Sequence, residues 1–226
     1  MSDAKQKRRP IWRWVNRAFG LFGLLFASVI CAPQLLAFPH QTQIGATRVY
    51  SEAPLDGAAM RPVLARADRL LAASPLYRAP AGTRVFLTNG GWRWRVLALT
   101  AGDSLGFTRP WSDLVSDAVI MNRSDVAGDA TSSVRSLSGT IAHERTHIMV
   151  RRHLGLIDGL RLPTWISEGY ADHVAGEPDV GDPDLARWRV ARPDHPVFFY
   201  IEARRRVEAA LAANGGDVEA LLSQEH

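Results

Sequence analysis

The chain has 226 residues, 46% hydrophobic and 22% charged, enough for one globular domain with a real core and too few for a second full one. Its formal charge is +4, but residues 1–17 carry Lys5, Lys7, Arg8, Arg9, Arg13 and Arg17 against Asp3, a local net of +5 that leaves −1 for everything after. A nucleic-acid-binding surface spread over the folded part thereby loses its main compositional support, and the charge speaks to topology.

The basic segment, 1–17, runs straight into Ala18 to Phe38, an apolar stretch without a charge and long enough to cross a bilayer as a helix. A cleaved signal peptide shares the charged start and apolar core. No clear small-x-small cleavage site follows, however, and Phe38 and Pro39 stand where one would be wanted, so a transmembrane anchor over 18–38 is expected. A lipoprotein signal ending at Cys31 fails on Ile30, where a small residue is needed. The excess of cations puts the N-terminus in the cytoplasm and residues from about 39 onward on the other side. Cys31 is the only cysteine, so the rest of the chain has no disulfide and no thiolate ligand; any metal must be held by His and carboxylates.

Residues 39–60, rich in small and polar groups and broken by Pro39 and Pro54, read as an extended connector, with the folded domain over 61–226. Val63, Leu64, Ala67, Leu70 and Leu71 recur at helical steps, predicting a helix over Met60 to Ala73. Thr83 to Leu87 and Trp92 to Leu99 flank Asn89-Gly90-Gly91 and predict a hairpin; Ala118 to Met121 is a further short strand. The alternation Trp92-Arg93-Trp94-Arg95 suits either a stacking platform for single-stranded nucleic acid or a half-buried strand with both Trp on its core face. Without a wider basic surface the strand is expected.

Ser138 to Leu154 reads as a helix, with Ser136 or Ser138 as N-cap, Arg151 and Arg152 favourably placed against the C-terminal dipole, and Gly155 as its stop. It contains His143-Glu144-Arg145-Thr146-His147. At about 100° per residue the two His project from nearly one side, one turn apart, so that two imidazoles can meet one cation. Glu144 falls beside that site, where a carboxylate can take a proton from a metal-activated water.

The segment from Pro163 to Asp172 opens a second helix, with Thr164 suited to the N-cap and Gly176 and Pro178 closing it. Glu168 and Asp172, four apart, share a face. The first can complete a three-ligand zinc site, and the second can accept the ring N–H of a ligating His and fix its tautomer.

HExxH followed by Glu-x-x-x-Asp on a second helix resembles the gluzincin metallopeptidases, and His143, Glu144, His147, Glu168 and Asp172 all match. The phrase from Pro163 to Gly176, with Trp165, Glu168-Gly169 and Ala171, is similar to the small bacterial peptidase-MA-like proteins, and the tail from Tyr200 to Leu222 loosely so; the resemblance spans roughly residues 134 to 222. It implies an α+β, zincin-like domain: a small mixed sheet, with an edge strand beside the cleft, and an HExxH active-site helix, here preceded by one transmembrane helix. It also implies Zn2+ on His143, His147 and Glu168, Glu144 as general base, a peptide or protein substrate, and an oxyanion donor beyond the second helix. Tyr200 holds the matching place; Tyr170, His173 and His195 are the other candidates.

His153 stands ten residues after His143, at the third-ligand position of the metzincin pattern HExxHxxGxxH. Val150 replaces the glycine of that pattern and Met149 is the last methionine, which leaves none for a methionine turn. If the helix continues, His153 lies about 240° round from His147 and faces elsewhere. The functional alternatives to an active peptidase are a silent zincin-like domain acting as a membrane-tethered binding module, against which Glu144 argues, and a latent enzyme whose tail from Tyr200 to His226 covers the cleft.

Overall fold

The computed structural model describes residues 8–79, 82–99, 104–109, 117–123, 135–176 and 182–223. The first seven residues of the basic segment, Pro178 and the last three residues of the tail lie outside them. The chain divides into two compact units, 1–38 and 39–226.

The first unit is helix α1, Arg8–Cys31, followed by a 3-10 turn, Pro33–Leu36. Its Trp12–Cys31 stretch is long and apolar enough to cross a membrane. The α-helix ends at Cys31, before Phe38, because Pro33 has no N–H to continue the ladder and disfavours helical backbone at Ala32.

The second unit is mixed α+β. The expected connector is already part of it: β1 (His40–Ile44) and β2 (Thr47–Ser51) form an antiparallel hairpin across Gly45-Ala46, with Gly45 at φ +57°. The turn needs that left-handed residue, which glycine supplies without a Cβ clash. Asp56 then caps α2 (Gly57–Ala72) by accepting from the Ala58 N–H at 2.8 Å. Helix α2 buries Met60, Val63, Leu64, Ala67 and Leu71.

β3 (Thr83–Leu87) runs parallel to β2. The expected second hairpin strand is instead a helix, α3 (Trp92–Leu97), with Trp94 and Leu97 buried one turn apart and Trp92 55% exposed. The carboxylate of Glu52 accepts the Asn89 N–H at 2.9 Å and meets Arg93 at 3.4 Å, which holds the entry to α3 in its coil. β4 (Gly106–Thr108) and β5 (Asp117–Met121) complete a five-stranded sheet of order β1-β2-β3-β5-β4. β5 is parallel to β3, and edge strand β4 is antiparallel to β5.

Val49, Val85, Leu87, Val119 and Met121, on one sheet face, form a single core with α2 and α4 (Leu137–Leu154). Edge strand β4 lies against α4, where Arg151 donates to Thr108 Oγ1 at 2.7 Å. Short α5 (Leu156–Arg161) leads to α6 (Thr164–Ala175), then α7 (Asp182–Ala191), α8 (Val197–Ala213) and α9 (Val218–Leu222). Pro163, not Thr164, is the N-cap residue of α6; no side-chain cap forms, and Thr164 is already helical. Gly176 closes α6 at φ +59°.

Helices α6 and α8 pack closely because residue 169 is glycine: a Cβ there would lie 2.4 Å from the Ala203 carbonyl oxygen and 2.8 Å from Val207. Val218, Leu221 and Leu222 of α9 enter the main core. The described part of the tail therefore helps to wall the domain.

Candidate metal centre

Ser136 starts the helix that carries the site. Its Oγ accepts the Gly139 N–H at 2.9 Å, and the helix then runs without a break to Leu154, with Gly155 at φ +87° as its stop. Unbroken helical geometry puts His143 and His147 on one side, and their Nε2 atoms lie 3.2 Å apart. Glu168 of α6 presents Oε2 to both, 3.2 Å from His143 Nε2 and 3.6 Å from His147 Nε2. The three ligand atoms face one point, and this group could hold a metal ion.

The other ring nitrogens are occupied. Asp172, one turn on from Glu168, accepts the Nδ1–H of His143 at 2.6 Å, and since an ionised carboxylate only accepts, that proton fixes the tautomer. Ser167 Oγ lies 3.3 Å from His147 Nδ1. Both imidazoles are thus turned so that Nε2 points inward.

Glu144 is 7% exposed and close enough for its charge to act on His143. Burial on its own would lower the His143 pKa, but the bonds to Asp172 and Glu168 and the charges of Glu144 and Asp172 raise it to about 9. For Glu168, burial works upward and loses to the hydrogen bonds from His143 and His147, which hold its carboxyl far below the usual range. Asp172 follows the same pattern: burial is outweighed by the His143 hydrogen bond and the charges of His143 and Arg135.

Tyr200, from α8, brings its ring centroid to 6.2 Å from that of His143. Burial, followed by the charge of Glu168, raises its pKa, so its hydroxyl stays protonated and able to donate. The other oxyanion candidates lie elsewhere. Tyr170 spends its hydroxyl on Ser74 at 2.7 Å, His173 meets Glu208 at 3.5 Å, and His195 Nδ1 accepts the Val197 N–H at 3.2 Å. His153, carried round by the unbroken helix, pairs with Glu219 at 2.7 Å.

Two residues of the site were not expected. Ser167 had a signal, since it neighbours Glu168 on the entering turn of α6. Arg135, which pairs with Asp172, had none: its place depends on a loop whose path no periodicity predicts.

Comparison of the chain with protein-family models, with curated proteins and with solved structures finds no match.

Proposed function

We propose that the protein is a membrane-anchored zinc peptidase of the gluzincin type, with His143, His147 and Glu168 as ligands. The observation that carries this reading is the triangle of ligand atoms, with sides of 3.2, 3.2 and 3.6 Å. Tetrahedral ligands at zinc's ordinary distances of about 2.0–2.1 Å stand roughly 3.3–3.4 Å from one another, so the donor set fits zinc in size, and two imidazoles with one carboxylate fit it in chemistry. Three protein ligands leave a fourth position for a catalytic water, whereas a purely structural site is closed by four.

When bound there, zinc supplies a lowered water pKa and Lewis-acid polarisation of the scissile carbonyl. The chain's own residues do the rest. Glu144, next to a ligand but not itself one, accepts the water proton and passes it to the leaving amine. Asp172 keeps His143 in the tautomer that offers Nε2. Tyr200, its proton retained, donates to the oxygen that gains charge as the carbonyl is attacked. The resemblance in sequence to gluzincins, which use this division of labour, supports the same assignment.

An apolar N-terminal helix supports attachment to a membrane. The cations before and within its first turns favour a cytoplasmic N-terminus, which puts the second unit outside the cytoplasm. The substrate is then a peptide bond in an extracytoplasmic protein or peptide.

The test is hydrolysis of a diverse peptide library by the full chain, purified in detergent with zinc, beside Glu144→Gln. Cleavage by the native chain and a rate lower by about 10²- to 10⁴-fold in the variant, at equal zinc content, is expected. No cleavage by a folded, zinc-loaded native chain would replace the enzyme with a tethered binding module.

A further inference from the structure

Arg135 takes no part in the steps above, yet the chain fixes it on both sides. Its backbone carbonyl accepts from Arg123 Nη1, just past β5. The next residue, Ser136, is the N-cap of α4, its Oγ taking the Gly139 N–H and its carbonyl the Thr140 N–H at 3.0 Å. From that fixed base the guanidinium reaches two other helices. It pairs with Oδ1 of Asp172 on α6, the same oxygen that takes the Nδ1–H of His143 at 2.6 Å. Its Cζ also stands 5.4 Å from the centre of the Tyr200 ring on α8, within the range of a cation–π contact.

The site gathers three carboxylates, Glu144, Glu168 and Asp172, and Arg135 is a cation among them that cannot lose its proton and cannot compete as a ligand. A lysine in its place would bring the charge without the planar fork that spans a carboxylate and an aromatic face at once.

We infer that Arg135 is a positioning residue: one guanidinium sets both the carboxylate behind His143 and the ring of Tyr200, so that the ligand imidazole and the hydroxyl donor share a single reference. Where the inference concerns turnover it rests on the peptidase reading above; where it concerns His143 it does not.

The variants are Arg135→Gln, which keeps a polar side chain without the charge, and Arg135→Lys, measured in the full chain. Zinc affinity is read by competition with a chelating dye, and geometry by the visible spectrum of the cobalt-loaded protein. Arg135→Gln is expected to weaken zinc about tenfold, alter the cobalt spectrum and lower kcat with KM within twofold, and Arg135→Lys to restore zinc affinity but not kcat. Zinc affinity, spectrum and kcat all unchanged in Arg135→Gln would overturn the inference, as would a loss that merely follows a fall in Tm shared equally by Arg135→Lys. If the native chain binds zinc and cleaves nothing, the peptidase reading fails alone, and affinity and spectrum still decide on Arg135. If it binds no zinc, the Nδ1–H resonance of His143 in the metal-free chain decides. Loss of that resonance in Arg135→Gln supports the clamp; persistence overturns it.

Discussion

Helix α4 buries charge on two sides, and the two sides are built differently. On the rear, Arg145 meets Asp68 of α2 at 2.5 Å and Arg152 meets Asp117 of β5 at 3.0 Å, each cation with its own carboxylate and each pair reaching water at one end, through Asp68 or Arg152, both 48% exposed. On the front, Nε2 of His143, Nε2 of His147 and Oε2 of Glu168 all lie within 4.8 Å of one another, and Glu144 and Asp172 add two more carboxylates against Arg135. Buried charge that is paired one to one ties elements together. Ligand atoms that converge, with more negative than positive charge around them, make a place for a cation.

The largest effect that separates the two sides is metal content. Glu168→Ala removes one of three ligands, and zinc per chain is expected to fall from about one to near zero at micromolar protein, measured by elemental analysis after desalting. His153→Ala, at the far end of the same helix, loses only a surface pair with Glu219, so zinc stays and stability moves by no more than about 0.5 kcal/mol. Zinc kept by the first variant and lost by the second would move the site to the other side of α4.

What could be read in advance divides along similar lines. The face shared by His143 and His147, that shared by Glu168 and Asp172, and the stops at Gly155 and Gly176 follow from helical period and capping, which are local, and the structure keeps them. β3 and β5 were legible for the same reason, as short runs of β-branched and apolar residues. β1 was not: His40, Gln41, Thr42 and Gln43 are all polar, so although Gln41 and Gln43 are more exposed than their neighbours, the edge strand shows no apolar alternation in sequence. In Trp92 to Leu97 six residues are too few to tell one period from another; the contacts of Glu52, far off in sequence, go with the helix. Arg135 is the extreme case, since its role depends on Arg123, Asp172 and Tyr200 being brought to it from three other segments.

A smaller effect bears on how the front is held in register. Gly169 follows Glu168, the proposed ligand, and a Cβ there would meet the Ala203 carbonyl oxygen at 2.4 Å and its carbon at 2.6 Å, backbone atoms that cannot swing aside. Gly169→Ala gains up to about 1 kcal/mol in helix propensity, but forcing α8 outward costs about 1–3 kcal/mol, so net destabilisation is expected in chemical denaturation. Because Tyr200 lies on α8 one turn before Ala203, kcat should fall while zinc content stays at one. A variant as stable and as active as the native chain would show that Tyr200 need not be held where it stands.

The smallest effect belongs to the rear. Arg145→Met keeps most of the buried stem and removes the charge; Asp68, half in water, is re-solvated instead of being stranded, so the full penalty of an orphaned buried ion does not apply. A loss of about 1 kcal/mol is expected, about 2–4 °C in Tm for a domain of this size, with zinc affinity and kcat/KM within twofold of native. Thermal melts and zinc titration on one preparation check both halves. A variant that melts like the native chain but binds zinc tenfold more weakly would mean that charge on the rear of α4 reaches the ligands through the helix, and the two sides would then have to be treated as one electrostatic unit.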